Sequence, residues 1–280
     1  MSIWQADFYY HLTTANLEKN WQLVVCECNS LSNKQLDNQI YIIPCSSEQA
    51  NSQWLTQQLK SLIDTKGQPP SKIQVFRPQS RGLISTAAEN LDIKVEATRN
   101  VAALKQVLKD KFSNNPNYNP ITLEKPPPQA LPENLWGDEW QIANIAAGQI
   151  VELFSDRPIP ISRIPEALHP INLNLASDIL IPGIVVYGGK QSMQLARWIE
   201  QQNPAFISYV PTEIGRSGGF ILETGLVERW VFNTFESKSA AEIAKKYNQK
   251  QQVSQGLHFL WIQPDDSGMT TTAFWLLQKQ

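Results

Sequence analysis

The sequence predicts an α/β protein of two domains, each a mixed β-sheet flanked by helices, joined by a Pro/Asn-rich linker. Three observations carry this reading. Short apolar segments with strand character alternate along the chain with segments whose apolar residues recur at helical spacing. The stretch Asn114 to Pro132 holds six prolines and four asparagines in nineteen residues, a composition that sustains neither a helix nor a central strand. On both sides of it the order strand, helix, strand recurs. We therefore expect an N-terminal domain over 1–115, a linker over 116–132 and a C-terminal domain over 133–280, with Pro126-Pro127-Pro128 as a stiff extended spacer.

In the first domain, strands are predicted at Ile3–Tyr10, Trp21–Cys28 and Gln39–Pro44. Ser46 or Ser47 is positioned to cap a helix with Leu55, Leu59, Leu62 and Ile63 on one side. A short strand Ile73–Phe76 follows, then a helix with Leu83, Ile84, Ala87, Ala88 and Leu91 at helical spacing. Ile93–Glu96 reads as a strand, and Val101, Leu104, Leu108 and Phe112 as the inner face of a third helix. In the second domain, Glu139–Asn144 and Gln149–Phe154 read as a hairpin turning at Ala147-Gly148. A proline-rich excursion (Arg157 to Pro170) leads to the strand ILIPGIVVYGG, a helix Gln191–Gln202 and strands at Phe206–Val210, Phe220–Thr224 and Arg229–Phe232. The Ser239/Glu242 spacing of a capping box predicts a helix from about Ser239 to Gln252. Apolar segments on both sides of a polar turn close the chain in GLHFLWIQPDDSGMTTTAFWLL, Gly256 to Leu277; strands written this way can be buried on both faces.

Composition excludes some functions. No apolar run approaches the roughly 18 residues a membrane span needs, and the opening segment reads as a first strand, without a basic-then-apolar signal or an Arg/Ser-rich transit segment; a cytoplasmic protein is expected. Cys26, Cys28 and Cys45 form no zinc pattern and are expected to be reduced, structural thiols. The net charge of −2 divides into +2 for residues 1–125 and −4 for the remainder. A nucleic-acid site must then be a local patch, because the whole chain lacks an attractive field.

Enzyme motifs are sparse. His11, His169 and His258 have no partner motif, and His258, inside LHFLWI, is expected to be a hydrogen-bonded core histidine. No G-x-S-x-G, H-E-x-x-H or Walker loop occurs, and nothing calls for a cofactor or a metal. GIVVYGGK, Gly183 to Lys190, is a strand, a double glycine and a lysine before a helix. It reads first as a strand-to-helix turn and second as an anion site. A metal-dependent nuclease would need paired carboxylates beside a lysine; Asp92-Ile93-Lys94 lacks an acid on the adjacent strand, and Asp265-Asp266 sits in a turn.

Binding chemistry is better represented. Single-stranded RNA calls for Arg or Lys at phosphates and aromatic rings for bases. Arg77 and Arg81 in FRPQSRG, and Arg99 in EATRN, follow successive strands at the ligand-facing end of an α/β sheet. They are expected either to form one positive rim or to pair with neighbouring acids. Most of the nine tryptophans follow core patterns. Trp136, before Gly137 in a polar loop, is the candidate for stacking, with packing between the domains as the alternative.

IWQADFYY, FRPQSRGLISTAAENLDIKVEATRNVAALKQVL, LPENLWGDEW, FISYVPTE, GGFILETGLVERW, QGLHFLWIQPDD and FWLL together resemble the cyanobacterial and plastid RNA-binding proteins of the Tab-two type, across essentially the whole chain. The resemblance implies binding of A/U-rich leader RNA, a role in translation of photosystem I messages and photosystem biogenesis, partners among translation or assembly proteins, and no catalytic activity. It also implies that the closing Trp275-Leu276-Leu277 serves RNA binding; the residues themselves, completing an apolar strand, point to a folding role. Plastid members carry transit segments, so a start at the first strand fits a cyanobacterial version. The expected function is an A/U-rich RNA-binding factor, with Arg77, Arg81, Arg99, Trp136, Lys190, Trp275, Leu276 and Leu277 as site residues. The alternative is a protein-interaction scaffold or assembly chaperone without direct RNA contact; a nuclease is third.

Overall fold

The structure, a computed structural model, describes residues 2–12, 19–29, 39–112, 121–135, 139–213 and 216–279. The chain forms two compact units, Met1–Glu124 and Lys125–Gln280.

Unit 1 runs β1 (Ser2–Leu12), β2 (Lys19–Asn29), β3 (Ile40–Ser46), α1 (Ser52–Lys66), β4 (Lys72–Val75), α2 (Pro78–Glu89), β5 (Val95–Ala97) and α3 (Ala102–Phe112). Its sheet has the order β3-β2-β1-β4-β5, antiparallel through β1–β3 and parallel from β1 to β5. Alternation along β1 produces two layers. Trp4, Ala6 and Phe8 pack with Leu55 and Leu59 of α1 and Ile84 and Ala87 of α2. Tyr9 belongs to a second cluster with Leu104 and Leu108 of α3. Gln5 reaches α3 differently: its Oε1 accepts from the Leu104 N–H at 3.1 Å, satisfying one of the amides a helix start leaves open. The cap of α1 is Asn51, whose side chain accepts from the Trp54 N–H, and not Ser46 or Ser47, which lie five and four residues upstream. The helix ends at Gly67, whose φ of 75° is the left-handed conformation glycine adopts without a Cβ penalty. All three cysteines are free thiols, and burial first, then the neighbouring Cys28, pushes Cys26 up to about 12.

Unit 2 contains β6 (Gln129–Ala130), β7 (Glu139–Ala146), α4 (Ala147–Ser155), β8 (Ile161–Arg163), β9 (Leu180–Tyr187), α5 (Ser192–Gln202), β10 (Pro204–Glu213), β11 (Ser217–Thr224), β12 (Glu228–Phe235), α6 (Lys238–Val253), β13 (Leu257–Gln263) and β14 (Ala273–Gln278). It departs from a single sheet, because these strands form two, β7-β9-β13-β14-β8 and β10-β11-β12-β6, each with mixed strand directions. One core cluster draws Ile184, Leu260 and Trp275 from the first sheet, Phe220 and Leu222 from the second, Ile199 from α5 and Tyr247 from α6. The other face of the five-stranded sheet packs Phe259 and Phe274 against Ile150 and Phe154 of α4.

The predicted hairpin at 139–154 is corrected here: its second arm is α4. Ala147, Ile150 and Phe154 are the buried residues of that segment, and steps of three and four place them on one helical face. The cap of α6 is also corrected, to Ser237, which accepts from the Ala240 N–H in an extended backbone. In β9, a Cβ on Gly183 would fall 2.2 Å from the Phe259 ring. Only glycine lets these two parallel strands pack with that ring between them.

Candidate nucleic-acid interface

The strand-end arginines of unit 1 do not form a rim of equivalent cations. Arg77 ends the connection from β4 and precedes Pro78, the first residue of α2. Its Nε donates to Asp7 at 3.0 and 3.3 Å, and its guanidinium lies 5.1 Å from the Phe76 ring centroid. Asp7 is wholly buried and also accepts from the Ser80 hydroxyl at 2.8 Å. Burial pushes the Asp7 carboxyl above the ordinary range, and Arg77 opposes that shift. Arg77 is thus held by a buried carboxylate. Arg81, one turn into α2, is exposed.

Arg99 is half-buried after β5, and its carbonyl accepts from the Lys105 ammonium. Burial first, then the charges of Arg99 and Lys109, pull Lys105 down to about 8. The cations gathered here are therefore Arg99, Lys105 and Lys109, a grouping that the spacing of strand ends alone does not reveal. The available signal was the Lys105/Lys109 pair, four apart on one face of α3.

In unit 2, the turn between β9 and α5 is a structural connection. The Gly188 N–H donates to the Gln263 carbonyl and the Gly189 N–H to the Pro264 carbonyl, both at 2.9 Å, so these amides are engaged by β13 and its exit. The charge that remains is the Lys190 side chain. Lys190 borders a groove of about 560 Å³ along α5, together with Pro132, Leu135, Met193, Arg197 and Trp198. Lys190, Gln194, Arg197 and Gln201 recur at intervals of four, three and four, a stripe of hydrogen-bond donors without a carboxylate. Neither Lys190 nor Arg197 makes an ion pair among the described residues. Trp198 is half-buried and stands edge-on to Trp230, centroids 4.9 Å apart at 79°. Trp230 is fixed in turn by its Nε1–H, which donates to Thr224 Oγ1 at 3.2 Å. Two cations and a held indole thus share one wall, the combination that binds phosphate and stacks a base.

The remaining candidates are placed as follows. Trp275, Leu276 and Leu277 lie in β14 and are buried. The Trp275 Nε1–H donates to Glu200 Oε2 at 3.0 Å, and Glu200 also pairs with Arg163. Trp136 lies outside the described residues, although its chain neighbour Leu135 is part of the groove wall. His258 is a core histidine: Nε2 accepts from the Ile207 N–H and Nδ1 donates to the Gly256 carbonyl, both at 2.8 Å. Burial brings its pKa down to about 4, so the ring is neutral at neutral pH. Among the described residues, no three His, Cys, Asp or Glu side chains come together as a metal site would require. Trp198 follows the core pattern expected of a tryptophan on a helix face and packs in part against the core cluster; that it also borders the groove, together with Arg197, is visible only in the structure.

Comparison with known proteins bears on both halves. Among solved structures that the chain resembles, the HTLV-2 integrase catalytic core domain in complex with magnesium is 15% identical, with a TM-score of 0.27 over 42% of this chain and 76% of that one. A likeness of that size carries no argument. Curated relatives extend much further. The chain is 28% identical to "Protein TAB2 homolog, chloroplastic" of Zea mays over 98% of its own length and 70% of the relative's. It is 27% identical to the Arabidopsis thaliana protein of the same name, over 98% and 74%. Two family models match, "RNA-binding protein Tab2/Atab2 N terminal" over residues 3–111 and "RNA-binding protein Tab2/Atab2, C-terminal domain" over residues 118–278. Matched in both halves, the chain belongs to the Tab2/Atab2 family of RNA-binding proteins.

Proposed function

We propose that this protein binds single-stranded, A/U-rich RNA in the α5 groove and thereby supports translation or assembly of photosystem components. It acts in the cytoplasm of a cyanobacterial cell or in the equivalent plastid compartment of its chloroplastic relatives; no helix among the described residues is long and apolar enough to cross a membrane. Family membership supports RNA as the ligand. One observation carries the choice of site: Lys190 and Arg197 flank a groove beside Trp198 and have no acidic partner among the described residues. A site that spends its cations on its own carboxylates has little left for phosphate; this one does not. An A/U-rich strand suits such a site because its weak secondary structure leaves bases available for stacking. The Arg99, Lys105 and Lys109 group and the exposed Arg81 of unit 1 supply a second basic surface for the same RNA.

The test is a titration of the purified protein against A/U-rich and G/C-rich single-stranded RNA at two salt concentrations, with and without Mg²⁺. Preferential, salt-sensitive binding that leaves the RNA intact is expected. In Lys190→Gln/Arg197→Gln, the slope of log affinity against log salt should shrink by about 1.4, at roughly 0.7 per phosphate released on a single strand. An unchanged slope removes the groove from the reading. No binding even at low salt favours the scaffold alternative, which the net charge of −4 on residues 126–280 supports.

A further inference from the structure

We infer that the bound strand does not end in the α5 groove but continues past Met193 into a second cleft, which holds further nucleotides. The inference rests on the α5 groove being the RNA site. Met193 borders both spaces. The second, of about 620 Å³, is formed by the Arg157–Pro160 segment that follows α4 and by the connection between β13 and β14, including Pro264 and Met269. Met193, half-buried, is thus common to the linings of both spaces, so the two lie side by side at this residue.

Three features of the second cleft suit a nucleotide strand. Arg157 borders it, is exposed, and makes no ion pair among the described residues. Its guanidinium is 5.8 Å from the Phe154 ring centroid, a contact that orients the cation without neutralising it. Met269, 85% exposed, offers a flexible thioether to a base face. Alternation along β13 places Gln263 on the same sheet face as Phe259 and Trp261, over which Phe154 and Ile159 pack. Gln263 is 3% exposed, and its Nε2 has no acceptor among the described residues; it immediately precedes Pro264 of the cleft wall. The two acids of this connection, Asp265 and Asp266, are not part of that wall, and Asp265 accepts from the Ser267 N–H at 3.0 Å.

The experiment compares wild type, Arg157→Gln/Met269→Ser and Lys190→Gln/Arg197→Gln on A/U-rich RNAs of about four and about twelve nucleotides, lengths that bracket ordinary single-strand site sizes. Arg157 and Met269 are surface residues, so the fold is expected to survive both changes, and far-UV circular dichroism checks it. The Arg157/Met269 variant should bind the short RNA like wild type. It should bind the long RNA about tenfold more weakly, with a salt slope smaller by about 0.7. 4-Thiouridine placed near one end of the long RNA should photocrosslink to the peptide carrying Met269. Equal affinity of wild type and the Arg157/Met269 variant for both lengths overturns the continuation and leaves the α5 groove standing. Equal weakening on both lengths also overturns it, because Arg157 would then serve the first groove. Binding that is insensitive to Lys190→Gln/Arg197→Gln overturns the underlying site, and the continuation with it.

Discussion

Replacing Arg77 by methionine tests whether the most prominent arginine of the sequence is a phosphate ligand or a structural counter-ion. Asp7 is wholly buried, and Arg77 exposes only 16% of its side chain. Removing the guanidinium would leave a buried carboxylate with the Ser80 hydroxyl and the Phe8 backbone as its named remaining partners. Breaking a buried pair from one side costs about 3–5 kcal/mol, a large part of the roughly 5–15 kcal/mol that holds a domain together. Replacing both partners in Asp7→Leu/Arg77→Met should recover most of that loss. The penalty must also depend on pH. The Asp7 carboxyl is already raised by burial, and it rises further once Arg77 no longer opposes that shift. A carboxyl whose folded pKa lies above its unfolded value takes up a proton preferentially in the folded state. The single variant therefore regains stability as pH falls towards the unfolded value of about 3.9. Urea denaturation at pH 7 and pH 5 reads both effects. A cost below about 1 kcal/mol that does not change with pH would refute the reasoning, since that is how a solvent-exposed pair behaves. RNA affinity of the double variant then decides the role: if it is retained, the guanidinium is structural.

Two further outcomes are expected. His258, neutral and buried with a pKa of about 4, should make the fold acid-sensitive. The unfolded chain takes up this proton from about pH 6.5 and the folded chain only near 4, so stability is full above that window and falls through it, by about 2 kcal/mol at pH 5. Denaturation midpoints compared with His258→Gln, which removes the titration while keeping an acceptor for the Ile207 N–H, isolate this contribution; identical pH profiles would refute it. Trp275→Phe should lower stability by about 1–3 kcal/mol through lost packing and the lost hydrogen bond to Glu200, while RNA affinity of the folded fraction stays at the wild-type level. A folded Trp275→Phe protein with weakened RNA binding would make the closing tripeptide part of the RNA site.

Much of the fold could be read because its signals are local. The alternation in IWQADFYY and the continuous apolar run of LHFLWI mark strands regardless of what they pair with, and Leu55, Leu59 and Leu62 mark a helix face. The errors arose where a local pattern supported two answers. Val151 to Phe154 is apolar enough for a strand, and only the burial of Ala147, Ile150 and Phe154 together selects a helix. Ser239 has the spacing of a capping box, but Ser237 has the extended backbone that lets a hydroxyl reach the third following amide. The second sheet of unit 2 was not legible, because β6 is two residues long and meets β12 across a hundred residues of chain. For the candidate site, the strand-end arginines could be located from sequence, but their availability could not. Asp7 lies seventy residues from Arg77, inside a segment that reads as apolar strand. Lys190 was visible beside its double glycine, whereas Arg197 and Trp198 become informative only once α5 is seen to border a groove.

Net charge gave the least guidance, for a physical reason. Phosphate binding responds to cations that have no nearby acid, and a sum over the chain hides which ones those are. In unit 2, Lys125 and Arg229 converge on Glu223, Arg163 is held by Glu200 and Arg216 by Glu213. Lys190, Arg197 and Arg157 border the two clefts without such partners among the described residues. The acidic surplus of this unit opposes a local anion site most at the second cleft, where Asp156, Asp265 and Asp266 adjoin the lining residues Arg157 and Pro264 in the chain, and least at the α5 groove, where Glu200 is already paired with Arg163. It also explains why RNA binding here should be selective in place and modest at a distance. A protein of net negative charge gains little from long-range attraction, so the strand must be captured by short-range phosphate contacts and stacking. Removing the cleft cations should then speed dissociation far more than it slows association, and this kinetic signature separates a built groove from a diffuse basic surface.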